Sequence, residues 1–68
     1  MKLSARNVLK GKIIDVTKGA TTAHVKIDVG SIVVTSSITN AAVDDLKLVV
    51  GKDAYAVIKA SDVMIGID

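Results

Sequence analysis

The sequence predicts an all-β fold, a five-stranded Greek-key barrel with one short helix between its third and fourth strands. Three observations lead there. Apolar and polar residues alternate over much of the chain, which is the two-residue period of a half-buried strand. Only one segment, 39–48, breaks that period with helical spacing. Half of the residues are hydrophobic, yet Tyr55 is the sole aromatic, so the interior must be built from Val, Ile, Leu and Ala, residues that suit sheet surfaces.

Taken in order, Leu9 to Val16 reads as the first strand, followed by a turn at Thr17-Lys18-Gly19-Ala20. The second strand, 23–29, alternates most cleanly. Ala23, Val25, Ile27 and Val29 face one way, and His24, Lys26 and Asp28 the other. Gly30-Ser31 then makes a tight connection to a third strand, Ile32 to Ile38, so that strands two and three form a hairpin. In the helical segment, Ala42, Val43 and Leu46 share a face, Thr39 or Asn40 supplies the N-cap, and Gly51 closes the connection. A fourth strand covers Ala54 to Lys59 and a fifth Val63 to Ile67. Five strands with a helix after the third is the element order of an OB-type barrel, and closure removes sheet edges that so apolar a chain could not leave open.

Sixty-eight residues are enough for one domain, residues 1–68. Domains this small commonly rely on disulfides, a structural metal or oligomerisation. There is no cysteine and His24 is the only histidine, so oligomerisation remains, and a homo-oligomer is expected. A net charge of +2 is a mild bias rather than the footprint of a nucleic-acid binder. No apolar run approaches a membrane span, and the opening MKLSARNVLKGK lacks the apolar centre of a signal peptide. The expected location is the cytoplasm, with no membrane partner.

No catalytic constellation is present: His24 stands beside Lys26 and Asp28 on a polar strand face, and no nucleophile–base spacing, metal cluster or phosphate loop accompanies it. An enzyme is therefore not expected. What stands out is polar donors where strands begin and end. Ser4-Ala5-Arg6-Asn7 precedes strand one, Thr39-Asn40 opens the helix, and Lys59-Ala60-Ser61 leads out of strand four. They offer hydroxyls, backbone N–H groups and two cations, with Asp62 the one neighbouring carboxylate. A deprotonated oxyanion only accepts hydrogen bonds, so it needs such a donor shell. Each group also has a plainer use as a turn, a cap or a solvated lysine, and spacing alone does not bring the three together. The competing reading is a single-stranded nucleic-acid-binding OB module. It would need stacking aromatics in a basic groove, and the chain has one tyrosine with Lys10 and Lys12.

The same segments carry a family likeness. Leu3-Ser4-Ala5-Arg6-Asn7-Val8-Leu9-Lys10-Gly11 resembles the SARNxLxG signature of the Mop domain, found in free-standing molbindins and in molybdate-sensing domains of some regulators and transporter ATPases. Ile38-Thr39 leading into Val43-Asp44-Asp45-Leu46, and the ending Ala56 to Met64, match the family pattern too. The resemblance implies an OB-type barrel assembled as a hexamer, a trimer of dimers with the first strand shared across each dimer. Molybdate or tungstate would be the bound ligand, with no organic cofactor and no cation ligated directly. It further implies an interface site built from Ser4, Ala5 and Arg6 of one subunit with Thr39, Lys59, Ala60 and Ser61 of its partner. Family members often have a serine three positions after the helix threonine; Ala42 stands there, so one hydroxyl of the shell is lost. A second oxyanion site, near the three-fold axis, would correspond to Lys18, Gly19, Ala20 and Thr21. The implied role is storage or homeostasis of molybdenum.

Overall fold

A computed structural model describes residues 1–68. Four strands form one antiparallel, curled sheet: β1 (Asn7–Lys18), β2 (Thr22–Asp28), β3 (Val33–Thr39) and β4 (Asp53–Ile58). The sheet order is β3-β2-β1-β4, and a six-residue helix, α1 (Asn40–Asp45), lies between β3 and β4 in sequence. The element order through the fourth strand is the expected one. The fifth strand is not formed: after a 3-10 turn at Ala60–Asp62, residues 63–67 continue without a sheet partner.

The core follows the predicted alternation. Ala23, Val25 and Ile27 of β2 are buried together with Ile13, Val43 and Ala56, and Val29 packs half-buried at the rim. β1 runs longer than expected, pairing with β4 over Asn7–Lys12 and with β2 over Lys12–Lys18, and the second ladder carries a bulge. Ile13 pairs with Ile27 but Asp15 with Lys26, so Ile14 is the extra residue. The bulge explains why Ile13 and Ile14 are adjacent in sequence: the first is buried and the second is 45% exposed. It also returns Val16 to the core face opposite Val25 and puts Lys18 inside the strand rather than in a turn. Ile13 keeps its backbone bonds through the loop after the helix, donating to the Lys52 carbonyl and accepting from the Gly51 amide at 2.9 and 2.8 Å.

Gly11 has a specific reason to be glycine. A Cβ there would stand 2.3 Å from the Asp28 carbonyl oxygen and 2.8 Å from the Ile27 side chain, so β1 approaches β2 too closely for any side chain. The helix is closed at both ends. Thr39 is the N-cap, its hydroxyl accepting from the Ala42 amide at 3.1 Å. At the other end the Lys47 and Leu48 amides return to the Asp44 and Val43 carbonyls, with Lys47 in the left-handed region at φ 54°. Lys52 Nζ adds bonds to the Leu46 and Lys47 carbonyls.

Candidate functional site

The antiparallel ladder of β1 and β4 brings two of the three donor groups together. Asn7 is opposite Ile58, and its side-chain amide donates to the Ile58 carbonyl at 3.3 Å. Ser4-Ala5-Arg6, just before Asn7, therefore lies beside Lys59-Ala60-Ser61, just after Ile58. Sequence reasoning did not single out Asn7 for this. Its position at the junction of the motif with the first strand was the available signal.

At this end of the sheet the donors are free. Within the chain, the amides of Ser4, Ala5, Arg6, Ala60 and Ser61 have no acceptor. Neither Arg6 nor Lys59 is ion-paired; the chain's salt bridges are Lys12–Asp53 and Lys18–Asp44. Ala5 is half-buried and the other five residues are exposed. Two cations, two hydroxyls and a set of unused amides flank the Asn7–Ile58 pair at one sheet end, and groups of this kind can coordinate an anion.

Thr39 is elsewhere. It pairs with Thr22 at the opposite end of the sheet, where β1 ends at Lys18 opposite Ala23. At about 3.3 Å per residue, the 12-residue β1 runs roughly 36 Å between the two ends. One chain cannot bring Thr39 to Arg6 and Lys59. The helix start is also less rich in donors than its sequence suggests. The Asn40 amide is taken by the Thr21 carbonyl and the Ala42 amide by Thr39. The Thr39 hydroxyl accepts one bond and keeps its own proton to donate.

Thr39 lies instead beside the first turn. Asn40 Nδ2 donates to the Gly19 carbonyl at 3.0 Å, while Asn40 Oδ1 is enclosed and accepts nothing in the chain. Gly19 is spent on the Thr22 carbonyl at 2.7 Å, but the Ala20 and Thr21 amides are free. Lys18 reaches Asp44 at 2.6 Å, so its ammonium already has a carboxylate partner. His24 is exposed, as its strand face predicts, and with Thr17, Lys18 and Thr22 it lines a shallow hollow of about 190 Å³. Tyr55, opposite Lys10 on the β1–β4 ladder, is the single ring on which a base could stack.

The chain contains no group of three or more His, Cys, Asp or Glu side chains disposed to hold a metal cation. No helix is long and apolar enough to cross a membrane.

Comparison with known proteins extends this picture. A TOBE domain matches residues 3–65. A probable molybdenum-pterin-binding protein of Haemophilus influenzae is 51% identical over 69 residues, covering all of both chains. Among solved structures, a molybdate-binding protein from Sporomusa ovata superposes with a TM-score of 0.93 at 31% identity, over 98% of this chain and all of that one. The cytoplasmic molybdate-binding protein ModG, with molybdate bound, gives a TM-score of 0.95 at 40% identity, over all of this chain and 49% of its own.

Proposed function

The chain belongs to the TOBE domain family, and from that premise we propose that it is a molybdate- and tungstate-binding protein that stores or buffers molybdenum in the cytoplasm. Its 68 residues act as one oxyanion-binding domain with no catalytic step. The observation that carries this reading is the sheet end where Arg6 and Lys59 stand unpaired among free amides and the hydroxyls of Ser4 and Ser61. Molybdate-binding relatives that match over the whole chain support the identity of the anion.

The binding shell spans two copies of the chain. Ser4, Ala5, Arg6, Lys59, Ala60 and Ser61 provide one half. Thr39, at the opposite end of the sheet, belongs to the half that a neighbouring copy presents. This division supports a homo-oligomer with interfacial sites, a hexamer built as a trimer of dimers. In that assembly the turn at Lys18, Gly19, Ala20 and Thr21 is a second, weaker site. There the free amides of Ala20 and Thr21 do the binding, and Lys18 is held back by Asp44.

Binding is non-covalent. Charge-assisted hydrogen bonds contribute ~1.5–3 kcal/mol each, so six of them sum to roughly 9–18 kcal/mol before desolvation and ordering. If half survives, the dissociation constant falls between about millimolar and sub-micromolar. Phosphate is disfavoured because its remaining proton meets a shell rich in donors whose only side-chain acceptors are hydroxyl oxygens, whereas sulfate must be rejected by size. Calorimetric titration of the purified protein with molybdate, sulfate and phosphate tests this. Saturable molybdate binding at least tenfold tighter than phosphate is expected, and equal affinities would overturn the assignment.

A further inference from the structure

We propose that Lys18 is a two-position switch: its ammonium rests on Asp44 until an oxyanion enters the polar hollow on its other side. Asp44 thereby acts as a built-in competitor that makes the first turn the later of the two anion sites to fill. The proposal rests on the anion reading and adds to it the residue that regulates one site. Three observations lead to it. First, Lys18 stands between two hollows and is the one residue that borders both. On one side it shares a hollow of about 540 Å³ with Asp44 and Lys47. On the other it shares the hollow of about 190 Å³ with Thr17, Gly19, Thr22 and His24, which has no apolar lining residue. A flexible four-carbon stem carrying a compact charge can serve either side.

Second, the charge of Lys18 is already engaged. Its Nζ donates to Asp44 Oδ1 at 2.6 Å, tying the end of β1 to α1. The neighbouring Thr17 hydroxyl is engaged as well, donating to Asp15 at 2.9 Å. At the other end of the sheet no carboxylate holds Arg6 or Lys59, so an anion is drawn there first. The Lys18–Asp44 pair is also easy to open. Its two side chains are 46% and 65% exposed, and an ion pair so well solvated contributes little to stability.

Third, Asp44 is poorly placed for the helix that carries it. The last turn of α1 holds Asp44 and Asp45 and no basic residue, although the carbonyl end of a helix disfavours negative charge. Neither helix stability nor a solvated ion pair explains a carboxylate at this position, whereas competition for Lys18 does. Nor is Asp44 left without a cation when Lys18 turns away. Lys47 borders the same hollow and forms no ion pair of its own.

Calorimetric titration of the full-length chain with molybdate reads both classes of site. In the parent, a tight class that Arg6→Ala weakens should be followed by a weak one. Asp44→Asn keeps the shape of the side chain and removes its charge. It should tighten the weak class about fivefold, the upper end of what an exposed ion pair is worth. The tight class should stay within about twofold, as expected of separate sites. Adding Lys18→Met to Asp44→Asn should abolish the gain, because no ammonium is left to release. Without anion, Asp44→Asn should melt within about 2 °C of the parent, since relief at the helix end offsets the lost pair. A weak class unmoved by Asp44→Asn, or tightened equally in the double variant, overturns the proposal alone. Absence of saturable binding to the parent overturns the anion reading and the proposal with it, so the two failures are told apart.

Discussion

Arg6 and Lys59, unlike Lys12 and Lys18, have no carboxylate to neutralise them. Lys12 is paired with Asp53 and Lys18 with Asp44, both at exposed positions where the pairing contributes little to stability. A dianion entering beside Arg6 and Lys59 meets two unspent charges, whereas one entering beside Lys18 must compete with Asp44. Replacing either free cation by alanine should therefore weaken molybdate binding at least tenfold, equivalent to about 1.4 kcal/mol, and leave the assembled mass unchanged. Calorimetry on Arg6→Ala and Lys59→Ala, with sedimentation as the control, checks this; unaltered affinity in both would remove these residues from the site. At Thr39 the structural use leaves room for the proposed binding use. Its hydroxyl oxygen caps the helix, and its hydroxyl proton remains available to a ligand.

At the scale of elements, the opening motif has two separate jobs. Its first residues form the donor group, while Gly11 serves the packing of β1 on β2 and touches no proposed ligand. Gly11→Ala would force a methyl group against the Asp28 carbonyl, and a backbone atom in a paired strand has little room to yield. The expected cost is about 3 kcal/mol, read as a fall of more than roughly 10 °C in melting temperature. A variant melting within about 2 °C of the parent would show that the strands can separate at that point. The helix has a comparable supporting role. Asn40 ties its first turn to Gly19 and Thr21, and Lys18 ties β1 to Asp44, so the first turn and the helix start are joined by three polar contacts.

For the molecule as a whole, the deciding quantity is the apolar surface it leaves uncovered. Six residues are buried, while Ile32, Val49, Val50, Met64, Ile65 and Ile67 are each more than half exposed. In the proposed assembly, neighbouring copies cover this surface, and a ligand bound between copies stabilises the assembly by linkage. Molybdate at a hundredfold its dissociation constant adds about 2.7 kcal/mol per site. The melting temperature should therefore rise by roughly 10 °C or more, measurable by scanning calorimetry with and without the anion. Absence of any shift at saturation would count against sites that span subunits.

The sequence by itself determined the local features of this protein. Alternation placed Ala23, Val25 and Ile27 in the core, helical spacing placed α1, and the donors at Ser4–Arg6 and Lys59–Ser61 were legible because strand ends expose backbone groups. The tertiary structure alone decided which of these local features meet. The Asn7–Ile58 register joined the first and last donor groups, and the pairing of Thr22 with Thr39 on the β2–β3 ladder carried Thr39 to the far end of the sheet. The β1 bulge lay outside the reach of pattern reading, since Ile13-Ile14 can face either way until β2 selects the register. So did the unpaired state of residues 63–67, whose alternation is that of a strand. The physical reason is the same in each case: a strand's period specifies which face is apolar, whereas its partner is set by an edge elsewhere in the fold, or in another copy.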